Sequence, residues 1–271
     1  MNAWPKPVLL SHRLVRGSPS KGPPTIILHG FLGGKRNWRS VARILSERTG
    51  NLILADQRNH GDSPHSETHS HDAMAADVFH LADHLGLDTF SLIGHSQGGK
   101  TAMHAALSCP DRIHKLVIVD TTPTTYTLDE FHTYFERMNE IVAKRVSSPT
   151  EAESILAQGI TEPLIRRFLL TNLKPQTDGT LAFIVNLPVL EHALRSGVTA
   201  GFPVHAPGVR FQGPTLVVRG ARSAYVKGDR VGVLMERFPT AVIRDMDTAH
   251  WVHHERPREF ANIVGEFLSL N

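Results

Sequence analysis

Short apolar runs rich in β-branched residues alternate with amphipathic stretches along most of the chain. The runs are Thr25–Leu28, Asn51–Ala55, Thr89–Ile93, Leu116–Val119, Thr215–Arg219 and Ala241–Arg244. Several are apolar at nearly every position, as parallel strands covered on both faces must be. Between and after them, helical patterns lie around Arg36–Ser46, His71–Leu85, Gly98–Leu107, Asp229–Phe238 and Arg256–Leu270. Val8–Val15 reads as a first strand. Strand–helix alternation of this kind predicts an α/β fold built on a mostly parallel, doubly wound sheet.

The rhythm breaks between Asp120 and Thr215. That stretch carries helical patterns at Leu128–Val146, Thr150–Ala157, Pro163–Leu170 and Val189–Arg195, and no good core strand. So long a segment is not a structureless loop in a compact domain. The expected organisation is a core made of residues 1–120 and 215–271, with residues 121–214 inserted as a helical cap over the site. Ser63–His71, rich in Ser, His and Pro, reads as a loop, and its histidines His65, His69 and His71 as solvated.

A length of 271 residues, 41% of them hydrophobic, suffices for one α/β domain with an insertion. No apolar run reaches membrane-spanning length, so no integral membrane association is expected. The single cysteine, Cys109, excludes an internal disulfide and reads as a small buried residue at a helix end. A net charge of +3 without a Lys/Arg run argues against nucleic-acid binding. The first acidic residue is Glu47. An acid-free, Arg-bearing start is also a feature of mitochondrial presequences, but the strand reading of Val8–Val15 is preferred.

The densest chemistry lies at Gly94-His95-Ser96-Gln97-Gly98, a G-x-S-x-G pattern between an apolar run and a helix former. Strand, tight turn and helix in that order make a nucleophile elbow with Ser96 at its apex. A serine held at positive φ brings its neighbours close, so Gly94 and Gly98 are needed for want of a side chain. Serine is a poor nucleophile at neutral pH. It needs a general base, and the base needs an orienting acid; where the serine sits on such an elbow, the chain order is Ser, acid, His. His250, on the loop after Ala241–Arg244, is the expected base. His253 and His254 compete from the start of the final helix, where a solvated or capping role is more usual. The acid commonly follows the penultimate strand, but Ser223 stands there and carries no charge. Asp120, at the end of Leu116–Val119, is the replacement. Asp229, Asp245 and Asp247 are the weaker candidates.

A developing oxyanion needs two fixed N–H donors. They are expected from the backbone of Gln97 and from the loop His29-Gly30-Phe31-Leu32-Gly33-Gly34, with Phe31 the choice and Leu32 its possible substitute. Gly30 lets that loop come close to the substrate, and His29 reads as structural. No H-E-x-x-H pattern, thiolate cluster, Walker A motif or G-x-G-x-x-G after a strand occurs, so no metal and no nucleotide cofactor are implied.

Together these motifs resemble the α/β-hydrolase superfamily over essentially the whole chain. The resemblance is sharper still in His29–Gly34 with Asn37-Trp38, in Asp56-Gln57-Arg58-Asn59-His60-Gly61-Asp62-Ser63-Pro64-His65, and in Gly94–Met103. These are similar to the abhydrolase domain-containing protein eleven group and to related bacterial short-chain esterases. The resemblance implies a serine hydrolase with a helical cap, acting on small-molecule carboxylic esters or thioesters of short to medium acyl chain. It implies that the acid sits at Asp120, and by analogy a mitochondrial location. Gln97 departs from the pattern, since close relatives often carry Met there; a more polar pocket beside the serine is the consequence. Phe131, Phe135, Phe168 and Phe183 are candidates for an acyl pocket. Competing readings are a carbon–carbon bond hydrolase, a cofactor-free haloperoxidase-like enzyme, or a catalytically silent binding protein. Haloalkane dehalogenase and epoxide hydrolase chemistry would need an aspartate where Ser96 stands.

Overall fold

Each continuous apolar run becomes a strand of one sheet. In the computed structural model, which describes residues 4–18 and 22–270, the first half runs β1 (His12–Val15), β2 (Thr25–Leu28), a 3-10 turn (Lys35–Trp38), α1 (Arg39–Thr49), β3 (Leu52–Ala55), α2 (His71–His84), β4 (Phe90–His95), α3 (Gln97–Ser108) and β5 (Ile113–Val119). The last part runs β8 (Thr215–Gly220), α8 (Asp229–Arg237), β9 (Ala241–Met246), α9 (Val252–Glu255) and α10 (Pro257–Ser269). Between them lie α4 (Glu130–Ala143), α5 (Pro149–Ala157), α6 (Pro163–Leu170), β6 (Leu173–Pro175), β7 (Leu181–Phe183) and α7 (Leu187–Arg195). The main sheet has seven strands in the order β1-β3-β2-β4-β5-β8-β9. All neighbours pair in parallel except β1, which runs antiparallel to β3 at the edge.

Successive residues of a strand face opposite sides of a sheet, which explains why the runs are apolar throughout. Leu92, Ile118 and Val217 face one layer, where they meet Met103, Leu234 and Phe238 of α3, α8 and the turn after it. Ile93, Val119 and Val218 face the other, against Val41, Leu45 and Phe260 of α1 and α10. Each such side chain removed from water contributes about 1.5–3 kcal/mol.

The first strand is shorter than Val8–Val15. Residues ahead of His12 bond instead to α2 and to a loop: the Val8 N–H donates to Asp77 Oδ1 (2.7 Å) and the Ser11 N–H to Ser63 Oγ (2.8 Å). The inserted helices carry their own apolar cluster, including Phe135, Met138, Ile155, Leu169 and Leu190, and Phe31 and Leu32 of the loop after β2 join it. That junction lies above the strand ends that carry the candidate chemistry. The β6–β7 hairpin was not foreseen from the sequence. Farther along, Phe211 returns to the sheet's own core beside Phe238. Among the described residues no helix is long and apolar enough to cross a membrane.

Candidate active site

Ser96 stands between β4 and α3 with φ +53° and ψ −118°, outside the regions a serine prefers. Such a conformation costs of order 1–3 kcal/mol and persists only where the surroundings enforce it. Here they do. The Ser96 N–H donates to the Val119 carbonyl (3.1 Å), pinning the turn to the neighbouring strand. A Cβ on Gly94 would run into the Gly98 carbonyl, and one on Gly98 into the backbone of Leu28 and His29. A Cβ on Gly30 would lie 2.9 Å from His95 Nδ1 and 3.2 Å from Ser96 Cβ. These glycines allow strand, helix and loop to converge on the serine.

Asp120 follows β5 directly, next to the nucleophile strand, and also has positive φ (+50°). Its side chain is shut off from solvent (0% exposed) and accepts three hydrogen bonds. The Gly220 N–H donates to Oδ1 (3.0 Å); the Ser223 hydroxyl (2.5 Å) and His250 Nδ1 (2.7 Å) share Oδ2. Ser223, which carries no charge, thus donates to the carboxylate that the sequence offers as the acid. Tyr225 stacks on the His250 ring at 4.2 Å between centroids, and the His250 carbonyl accepts from His95 Nε2 (3.0 Å). The imidazole is therefore held by its face, its Nδ1 and its own backbone. No hydrogen bond joins Ser96 Oγ to His250 among the described residues; the two side chains wall one cavity.

In the loop after β2, the Gly30 carbonyl accepts from His29 Nδ1 (2.8 Å) and from the Gly33 N–H (3.0 Å). A trans peptide points its N–H opposite its C=O, so these bonds orient the Phe31 N–H. The Leu32 N–H, the other candidate, already donates to His60 Nε2 (3.2 Å). Gln97 opens α3, where N–H groups have no partner within the helix. Its buried side chain lies against His69 (Nε2 to Nε2, 3.0 Å). His29 is structural, as expected: its Nε2 accepts the Gln57 N–H (2.9 Å).

The competing acids and bases are placed differently. Asp245 pairs with Arg219 and Asp247 with Arg222 and Arg256. Asp229 is an exposed first residue of α8. His254 is exposed, but His253 is not the solvated residue expected. It is buried beneath the site, stacked flat on Trp38 at 4.0 Å. His69 and His71 also depart from the solvated reading, because the Ser63–His71 loop is pulled inward. The Ser66 N–H donates to Asn59 Oδ1 (2.7 Å), and His71 Nε2 bonds the Val198 carbonyl (2.9 Å) of the inserted segment. Among the described residues no cluster of three His, Cys, Asp or Glu side chains is placed to hold a metal ion.

A cavity of about 560 Å³ opens on Ser96 and His250, lined on its apolar side by Phe31, Phe131, Ile165, Phe168 and Trp251. A smaller one of about 20 Å³ continues past Ser96 toward Lys100 and Tyr126. Of the four phenylalanines named from the sequence, Phe131 and Phe168 line the large cavity. Phe135 is buried inside the insert's core, and Phe183 packs against the same cluster.

Burial has a further consequence around the site. It lowers the pKa of His69 and His253 to about 3 and that of His71 to about 4. These groups are neutral when folded and bind protons near pH 6.5 when unfolded. The unfolded chain therefore takes up more protons as pH falls below 6.5, so their contribution to stability is full above that value and lost toward pH 3–4. Urea midpoints are expected to fall steadily as the pH is lowered from 7.5 to 4, by up to about 3 kcal/mol for each of these histidines. A flat profile would contradict the buried, neutral histidines.

The chain matches the family model described as the alpha/beta hydrolase fold over residues 23–257. It is 37% identical over 269 residues to the sn-1-specific diacylglycerol lipase ABHD11 of Danio rerio, covering 97% of this chain and 83% of that one. It is 32% identical over 255 residues to a putative esterase/lipase of Haemophilus influenzae, covering 92% and 84%. A solved structure described as a marine microorganism esterase superposes with a TM-score of 0.89 at 29% identity, covering 96% of this chain and 99% of that one. The chain belongs to the α/β-hydrolase fold family, within the group of ABHD11 and its bacterial esterase relatives.

Proposed function

We propose that this protein is a serine hydrolase of carboxylic esters and thioesters, working through a covalent acyl-enzyme on Ser96. His250 takes the Ser96 hydroxyl proton as Oγ attacks the acyl carbon. The N–H groups of Gln97 and Phe31 receive the oxyanion, helped by the positive end of α3. His250 then gives its proton to the departing alcohol or thiol. Water, deprotonated by the same imidazole, frees the acid and restores Ser96. Asp120 keeps the His250 proton on Nδ1, so that Nε2 is the atom that accepts. The observation that carries this reading is the 2.7 Å contact between His250 Nδ1 and Asp120, made in the wall of the cavity that Ser96 shares. Hydrogen bonds between nucleophile and base are often long before substrate binds and tighten in the complex.

Residues 121–214 serve as the cap and residues 1–120 and 215–271 as the core. The cap supplies Phe131 and Phe168 to the large cavity, whose volume suits a small-molecule ester with a medium acyl chain. The names of the ABHD11 and bacterial relatives support ester cleavage. p-Nitrophenyl esters from acetate to octanoate, assayed beside the matching thioesters, test the reading. Turnover with no member of either series would contradict it if the protein also failed to react with a fluorophosphonate. Phe168→Ala is expected to shift the preferred acyl length upward by two or more carbons, with a roughly 3- to 30-fold change in relative kcat/KM between short and long esters. An unchanged profile would show that Phe168 does not bound the acyl chain.

A further inference from the structure

The Arg58-Asn59-His60-Gly61 stretch has no part in the proton transfers above, yet it sits against the oxyanion loop. We propose that Asn172 of the inserted segment and His60 of the core are positioning residues that together hold Leu32, and through it the Phe31 N–H, in place for the oxyanion. This rests on the reading of the site as an esterase.

Leu32 is fully buried and has φ +57°, a conformation that leucine rarely adopts. It is held from both sides. Its N–H donates to His60 Nε2 (3.2 Å), and its carbonyl accepts from Asn172 Nδ2 (2.7 Å). His60 is suited to accept, because its other nitrogen, Nδ1, donates to the Arg58 carbonyl (2.9 Å). Burial also holds its pKa well below the usual histidine range, so the ring is neutral at pH 7. With the Gly30 carbonyl fixed by His29 and Gly33, three consecutive peptide groups between Gly30 and Gly33 are each anchored.

Asn172 does not stand alone. It precedes β6, and the start of that hairpin is docked on both loops beneath it. The Thr171 carbonyl accepts from Arg36 and Lys174 Nζ pairs with Asp62 (2.8 Å), while within the insert the Asn172 carbonyl accepts the Ile184 N–H (2.8 Å). Beyond β7, Asn186 bonds the Asn59 carbonyl through its N–H (2.9 Å) and Asn59 Oδ1 through its side chain (3.1 Å). The loops that align the oxyanion donor are thus the seat of the insert, and Asn172 is the contact through which the insert reaches Leu32. Without it, the Leu32 carbonyl has no hydrogen-bond donor from the insert and only apolar packing opposes relaxation of Leu32 toward ordinary φ, which turns the Phe31 N–H off its target.

Asn172→Ala, Asn172→Ser, His60→Ala and His60→Gln are compared with wild type on p-nitrophenyl butyrate. Rates are referred to active sites counted with a fluorophosphonate, so any misfolded fraction drops out. Expected for Asn172→Ala is a 10- to 100-fold lower kcat with KM within about threefold, and an equal weakening of an alkylboronic acid, which places an oxygen where the oxyanion forms. Asn172→Ser and His60→Gln, which keep a donor and an acceptor respectively, recover part of the loss seen in their alanine counterparts. Amide hydrogen exchange at Phe31–Gly33 is expected to quicken in Asn172→Ala. Unchanged exchange together with unchanged kcat and boronate affinity overturns the proposal, as does a rise in KM at constant kcat. If wild type neither turns over nor is acylated, the esterase reading falls, and the exchange measurement still decides whether Asn172 holds the loop.

Discussion

Ser96→Ala is expected to remove ester hydrolysis almost entirely, lowering kcat by about 10⁵- to 10⁶-fold, the scale at which serine hydrolases lose their nucleophile. The fold should survive, because the change deletes one oxygen from a side chain that caps nothing. It also relieves no steric contact, so the strained turn persists and the substrate still binds. KM measured on the residual rate should therefore stay close to the wild-type value. What remains, about 10³-fold over water, reflects the oxyanion donors and the cavity alone. Steady-state assays with p-nitrophenyl butyrate read the loss. Retention of more than one per cent of wild-type turnover would place the nucleophile elsewhere.

Asp120→Asn should produce the second-largest effect, a drop of about 10⁴-fold in kcat, or about 5 kcal/mol. The geometry gives the reason. The Gly220 N–H points at Oδ1, which keeps the amide oxygen of an asparagine on that side. The amide NH₂ then faces His250 Nδ1 and the Ser223 hydroxyl, where the native carboxylate accepts. His250 must accept at Nδ1 and carry its proton on Nε2, the atom that has to receive one from Ser96. The imidazole remains in place but in the wrong tautomer. Recovery of rate at high pH is expected to be incomplete, and the melting temperature should change little, since shape and packing are kept. A variant that retains a tenth or more of wild-type kcat would show that Asp120 does not orient the base.

Much of this site was legible because its parts sit where strand periodicity ends. The runs that form β4 and β5 place Ser96 and Asp120 at adjacent strand tips, and with no carboxylate at Ser223 the neighbouring tip offers Asp120. What the sequence could not carry is tertiary. Ser223 reads as an inadequate acid, whereas in the fold it donates to Asp120. The choice of Phe31 over Leu32 is sharpened by His60, which is distant in sequence and occupies the Leu32 N–H. His253 and His69 read as solvated because histidine is polar. A flat stack on Trp38 and a loop drawn inward by Asn59 bury them instead. The β6–β7 hairpin has three-residue strands, too short for periodicity to reveal, and one of them ends in proline. It is stabilised by what it docks against. Likewise, aromatic content on α4 did not say which side faces the cavity: Phe131 does and Phe135 points into the insert's own core.

The most direct test of the central claim is acid-quenched mass spectrometry of the protein mixed with p-nitrophenyl butyrate during its first turnovers. One butyryl group per chain, mapped to the peptide that contains Ser96 and appearing with the burst of nitrophenolate, is the predicted result. Turnover without that adduct, or with the acyl group on another residue, would contradict it.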